Sequence, residues 1–199
     1  ASSEEIVSLY HEINIMSKLD HPYVLKFIGY SPLNFKNQNR PIIFTELASN
    51  GSLTDIIKLE RVSQAPYEYT NSKKFQIIYG IASGMNYLHQ NEIIHRDLKP
   101  DNILMDDNYL PRISDFGLSK TKHSQKSITL QSSKGIKGTY LYIAPETWST
   151  EKYDKPGDVY AFALIVYEII TTKPPFEKYN SVSQIFRNVV VNNIRPDFD

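Results

Sequence analysis

The sequence predicts a mixed α+β fold in two unequal parts: one helix with two strands, then a larger and mainly helical part, the division falling near residues 45–51. Three observations carry this. Apolar residues recur at three- and four-residue steps over residues 4–19, the period of a helix with one buried face. Two short runs rich in β-branched and aromatic residues follow, Val24 to Tyr30 and Pro41 to Leu47. Beyond Asn50 helical periodicity returns and dominates.

The first helix presents Ile6, Leu9, Tyr10, Ile13, Met16 and Leu19 on its apolar face. Asp20-His21-Pro22 ends it, because a residue before proline is pushed out of the helical region. The two runs after it read as strands, joined through the polar stretch Asn34 to Arg40 as a hairpin loop. Residues 72–89 form a long amphipathic helix with Phe75, Ile78, Ala82, Met85 and Leu88 on one face. Short apolar pieces occupy 91–119, and the Ser-, Thr-, Lys- and Gly-rich segment 120–138 reads as a long loop. A buried helix runs from about Asp158 to Ile170 and stops before Pro174-Pro175. No internal repeat or heptad run is present.

Composition narrows the function. Lys+Arg and Asp+Glu both total 22, so no broadly basic surface for nucleic acid or anionic membranes is expected. The chain has no cysteine, which excludes disulfides and thiolate metal sites. The most apolar run, Ala161 to Tyr167, is shorter than the ~20 residues a membrane-spanning helix needs. The chain opens inside a helical pattern and stops straight after Arg195-Pro196-Asp197, as though severed at both ends.

His95-Arg96-Asp97-Leu98-Lys99-Pro100-Asp101-Asn102 is the decisive segment, followed by Asp115-Phe116-Gly117 and then Ala144-Pro145-Glu146. In this order the motifs resemble the eukaryotic protein kinase family, and the resemblance spans essentially the whole chain. It implies a two-lobed α+β kinase-like fold: residues 1–44 a partial small lobe with its helix and two strands, 45–50 the hinge, and 51–199 a large lobe lacking its last helices.

The resemblance also implies roles. The family transfers the γ-phosphoryl of ATP to protein hydroxyls with Mg²⁺, which takes hard oxygen ligands. Asp97 would orient the substrate hydroxyl and accept its proton, Lys99 would offer positive charge to the moving phosphoryl, and Asn102 and Asp115 would hold the metal. Glu12 matches the helix glutamate that pairs with an upstream strand lysine, and the glycine-rich phosphate lid and that lysine are absent from these residues. Residues 1–199 alone are therefore expected to turn over little. Around the adenine, Thr45 would stand as gatekeeper, the Glu46 carbonyl and Ala48 amide would bond the base edge, and Leu104 would form the floor. Gly117 would let the chain turn after the metal ligand. Asp158 would cap its helix and hold the catalytic-loop backbone, and Glu146 would pair with an arginine beyond the chain.

Segment 118–143 fits an activation loop, with Thr121, Ser124, Ser127, Thr129, Ser132 and Ser133 as candidate phosphate acceptors that Arg96 would then pair. Lys99 and Gly138-Thr139-Tyr140-Leu141-Tyr142 are similar to Ser/Thr-directed kinases, and Ile113 to Ser119 to the tyrosine-kinase-like group. The expected partners are ATP and Ser/Thr protein substrates, with no nucleic acid or membrane evident; the family implies a cytoplasmic setting. Two alternatives stay open: a kinase-like scaffold that has lost catalysis, and a tyrosine or dual-specificity enzyme.

Overall fold

Why these residues form these elements is clearest at the helix ends. In the computed structural model, which describes residues 3–38, 40–117, 119–121, 139–150 and 152–198, helix α1 spans Ser3–Met16. It unwinds through tight turns, Lys18 N donating to Ile15 O and Leu19 N to Met16 O, before His21-Pro22 stops it. Ile13, Ile15, Met16 and Leu19 are buried, whereas Tyr10, expected on the same face, is exposed and packs edge-on against Tyr30. The predicted strand from Val24 divides. Val24 and Leu25 pair with Ile113, and only Phe27–Ser31 forms β1, antiparallel to β2 (Ile42–Thr45). The loop between them closes on Asn34, whose side-chain oxygen accepts from Lys36 N and Gln38 N.

Helix α2 (Leu53–Arg61) starts on a capping box: Ser52 Oγ accepts from Asp55 N at 3.2 Å and Asp55 Oδ2 accepts from Ser52 N at 2.9 Å. The bond from the Ser52 hydroxyl holds the Asp55 carboxyl below the usual carboxylate range. Gly51 before it has a φ of 68°, the left-handed region that a side chain rarely adopts.

Helix α3 (Asn71–Gln90), capped by Thr70, buries a different stripe from the one its hydrophobic pattern predicts. Met85 and Leu88 are buried as expected, but Phe75 and Ala82 are exposed. The buried line runs through Ile77, Gly80, Ile81, Gly84 and Leu88. The glycines explain it, because they let the helix backbone approach its neighbours. A Cβ on Gly84 would stand 2.6 Å from Ile113 Cδ1 and 3.1 Å from the Tyr23 carbonyl oxygen. Gly84→Ala is therefore expected to destabilise the fold. Overpacking costs about 1–3 kcal/mol and outweighs the roughly 1 kcal/mol gained in helix propensity. A urea midpoint unchanged or raised by the substitution would contradict this packing account.

Three small antiparallel pairs build the floor between the helices: β3 (Ile93–Ile94) with β6 (Lys120–Thr121), and β4 (Ile103–Met105) with β5 (Pro111–Ile113) beside the hairpin pair. Helix α4 covers Pro145–Thr150, and α5 runs Lys155–Thr171 from an Asp154 cap to a left-handed Thr172 with φ 59°. The cap is thus Asp154, not Asp158 as the sequence suggested. Helix α6 (Val182–Phe186) follows. One contiguous core joins α1 (Ile15, Met16) to α2 (Leu53), α3 (Ile77, Ile81), β4–β5 (Ile103, Ile113), α5 (Ile165, Ile169) and α6 (Ile185). Among the described residues no helix is long and apolar enough to cross a membrane.

Candidate active site

The site begins at the end of β3, where the backbone has to take an unfavourable shape. Arg96 has a φ of 71°, strained for a bulky residue. What holds it is Asp158 of α5, 1% exposed. Its Oδ2 accepts from His95 N at 2.9 Å and from His89 Nε2 at 2.8 Å, and its Oδ1 accepts from Arg96 N at 3.0 Å. A buried carboxylate with three donors is well solvated by the protein, and the expected hold on the catalytic loop is realised this way.

From that anchor the loop presents Asp97. One carboxylate oxygen, Oδ2, accepts from Lys99 Nζ at 2.7 Å and from Asn102 Nδ2 at 3.0 Å. Asn102 Nδ2 also donates to the Asp97 carbonyl at 2.8 Å. The short 3-10 turn Pro100–Asn102 then feeds β4. With its amide nitrogen committed to Asp97, Asn102 offers its carbonyl oxygen as a ligand.

Ser114 welds the second motif to the first. Its N and Oγ both donate to the Asn102 carbonyl, at 2.9 and 3.0 Å, and its own carbonyl accepts from His95 Nε2 at 3.0 Å. Asp115 is consequently delivered next to Asn102 in the chain of bonds, exposed and with φ 63°. The left-handed residue of this turn is Asp115, while Gly117 N donates back to Asp115 Oδ1 at 3.3 Å. Phe116 is fully buried against His95, ring centres 5.4 Å apart. Among the described residues no three His, Cys, Asp or Glu side chains converge on a metal position. An asparagine oxygen plus one carboxylate suits Mg²⁺, which keeps waters and shares its shell with substrate phosphates.

Glu12 reaches this turn from α1. Burial first, then the nearby Asp115 charge, pushes its carboxyl above the usual range, opposed by a hydrogen bond from the Phe116 amide. Among the described residues no lysine or arginine pairs with it. At the end of β2, Thr45 Oγ1 donates to the Glu46 carbonyl at 3.1 Å. The Glu46 carboxylate is turned away, accepting from Lys26 N at 2.9 Å and pairing with Arg112 at 3.3 Å. Asn50 N donates to Met105 O and Met105 N to Gly51 O, stitching the connecting segment to β4. Leu104 is half-buried between the buried Ile103 and Met105, on the opposite face of the strand, and Ala48 is half-buried.

Most candidate acceptors of segment 118–143 lie outside the described residues, as does the side chain of Thr121. Arg96 does not: among the described residues its buried Nε and Nη1 have no hydrogen-bond partner, and burial lowers its pKa against the pull of Asp158. Glu146 is exposed. After it, α5 holds a second buried carboxylate, Glu168, which accepts from the Tyr142 hydroxyl at 2.8 Å beside a cavity of about 150 Å³ lined also by Asp101 and Arg61. Burial pushes Glu168 up to about 7 from an ordinary 4.5, with Tyr142 opposing and Asp101 assisting. The unfolded chain ionises this group as pH passes about 4.5 and the folded one only near 7. The stabilising contribution is thus complete below the lower value and lost as pH rises to the upper, by roughly 3 kcal/mol at most. Glu168→Gln is expected to gain on the parent chain over that window in urea titrations; parallel stability profiles would refute the shift.

Sequence reasoning missed Ser114, His89 and Arg112. Arg112 donates to the Pro22 carbonyl and, at 2.9 Å, to Asp106 as well as pairing with Glu46. The holding role of each depends on partners that its local sequence does not reveal: Asn102 and His95 for Ser114, Asp158 for His89, Pro22 and Glu46 for Arg112.

Comparison with known proteins agrees with the motifs. The family model "Protein kinase domain" matches residues 1–197. The chain is 33% identical over 187 residues to the dual specificity protein kinase shkC of Dictyostelium discoideum, covering 93% of the chain and 35% of that protein. It is 35% identical to the serine/threonine-protein kinase STY46 of Arabidopsis thaliana, over 93% of the chain and 30% of the relative. To the serine/threonine-protein kinase CTR1 of the same plant it is 36% identical, over 89% and 21%. The chain thus spans about a third or less of the length of these relatives.

Proposed function

The chain belongs to the protein kinase domain family, and from that premise we propose that the whole protein transfers the γ-phosphoryl of ATP to Ser and Thr hydroxyls of proteins. The observation that carries this is the Asp97 carboxylate: Lys99 and Asn102 hold one oxygen, and the other, without a hydrogen bond among the described residues, suits a substrate hydroxyl. In the transfer, the hydroxyl oxygen forms a bond to the γ-phosphorus as the bond from that phosphorus to the β,γ-bridging oxygen breaks. ADP leaves with that oxygen, and Asp97 takes the hydroxyl proton.

Lys99 neutralises the charge at Asp97 and at the moving phosphoryl. Asn102 and Asp115 would hold Mg²⁺, which would supply positive charge to offset that of the phosphates. The Glu46 carbonyl and Ala48 amide bond the adenine edge, Leu104 lies under it, and Thr45 stands beside it. Glu12, its carboxyl raised by burial and by Asp115, gains from a cation: pairing with an upstream lysine would relieve both costs. Residues 1–199, without such a lysine, are expected to be nearly inactive alone. The buried Arg96 guanidinium nitrogens, unpartnered among the described residues, suit a phosphate on the segment after Gly117, with which they would make charge-assisted bonds.

Two relatives are named as dual specificity kinases, which favours a second reading in which Tyr is also accepted. The test is Mg²⁺-dependent transfer of labelled phosphate from ATP to Ser/Thr and Tyr peptides by the full-length protein. Labelling of Ser or Thr supports the first reading and added Tyr labelling the second. A folded, ATP-binding protein with no transfer would overturn both in favour of a kinase-like scaffold.

A further inference from the structure

We infer that His11 is a positioning residue that latches α1 onto the turn bearing Asp115, so that the helix and the metal-binding carboxylate move as one. His11 has no part in the phosphoryl-transfer scheme above, and the inference rests on that scheme only for the role of Asp115. The geometry is specific. His11 Nε2 donates to the Ser119 carbonyl at 2.6 Å, across 108 residues of sequence. Its neighbour Glu12 faces the Phe116 amide, which lowers the Glu12 pKa against its burial. Two consecutive residues of one helix therefore face a single turn, and His11 holds its Ser119 end.

That turn is closed on itself and on the catalytic loop. Ser119 N donates to Phe116 O at 3.0 Å, and Ser119 Oγ donates to the His95 carbonyl at 3.1 Å. Ser119 is 1% exposed, and its carbonyl is therefore shielded from water that would otherwise satisfy it. The chain then enters β6, which pairs with β3. Asp115 directly precedes Phe116 at the start of this turn, exposed and held at φ 63°, a conformation that persists only where its surroundings impose it. Releasing the Ser119 end gives Asp115 freedom to leave its ligand position, and that loss appears as weaker metal binding. The carbonyl acceptor requires a proton on Nε2, so the latch needs the Nε2–H tautomer or the imidazolium and excludes the neutral Nδ1–H tautomer.

The test uses the full-length protein and two variants. His11→Leu keeps bulk and helix propensity but removes the donor; His11→Gln retains a donor of similar reach. The probes are Mg²⁺ titrated against ADP binding by calorimetry, and amide hydrogen exchange at residues 115–121 without nucleotide or metal. His11→Leu is expected to need about fivefold more Mg²⁺ for half-maximal ADP binding, the factor one ordinary hydrogen bond supports. Its Ser119 amide should also exchange faster, and His11→Gln should restore both. Unchanged Mg²⁺ demand and unchanged exchange in the leucine variant would overturn the inference, as would a glutamine variant that behaves like leucine. If the leucine variant does not fold, the glutamine variant decides by its Ser119 amide, protection supporting the latch and exposure overturning it. The metal-free exchange arm reports on the latch even if the protein transfers no phosphate, so failure of the latch and failure of the kinase reading are separable.

Discussion

Replacing Asp97 with Asn is expected to lower phosphoryl transfer by about 10²–10⁴-fold, the range that a positioned general base supplies. Asparagine keeps the size of the side chain, and its one oxygen can still accept from Lys99 Nζ and Asn102 Nδ2, the two donors that now hold Asp97 Oδ2 at 2.7 and 3.0 Å. The loop should therefore keep its shape. What changes is the face toward the substrate, where an amide NH₂ replaces an oxygen and can neither accept the hydroxyl proton nor orient it. Nucleotide affinity and thermal midpoint should stay close to those of the parent. Transfer within about threefold of the parent would remove Asp97 from the mechanism.

The second large effect is on stability. Asp158→Ala strips the common acceptor from His95 N, Arg96 N and His89 Nε2, all within 3.0 Å of the carboxylate. Each donor left unmade in a buried site costs about 1–3 kcal/mol, so the sum is several kcal/mol. That is a large share of the roughly 5–15 kcal/mol by which a domain is stable. The strained Arg96, at φ 71°, also loses the bond that holds it. Asp158→Asn, which retains one oxygen, should recover part of the loss. Urea unfolding measures both; a cost below about 1 kcal/mol for the alanine variant would show that the carboxylate is not the anchor. Loss of transfer is expected to accompany the unfolding of the loop, with Asp97 itself unchanged.

Much of this was legible in the chain, and the illegible part has a common cause. The motif residues cluster locally: Asp97, Lys99 and Asn102 lie within six positions, so one tight loop is enough to bring them into contact. The helices with apolar periods were readable for the same reason, since a period is a local fact, whereas the cap of α5 is Asp154 and not the expected Asp158. The buried stripe of α3 was not, because it runs over Gly80 and Gly84, which carry no hydrophobic signal and are buried through what Tyr23, Pro111 and Ile113 do from elsewhere. The strand beginning at Val24 failed similarly: its first residues found better partners at Ile113 than in the hairpin.

The sequence by itself therefore determined the family, the α+β class and the local cluster of Asp97, Lys99 and Asn102, because those are set by residue type at short spacing. Only the tertiary structure decided how they are held. Asp158 reaches His95 across 63 positions, Ser114 reaches Asn102 across 12, and His11 reaches Ser119 across 108. Hydrogen bonds of that span leave no periodicity in the chain. They exist because burying the core brings those backbones together in a place without water, where each donor must find a protein acceptor.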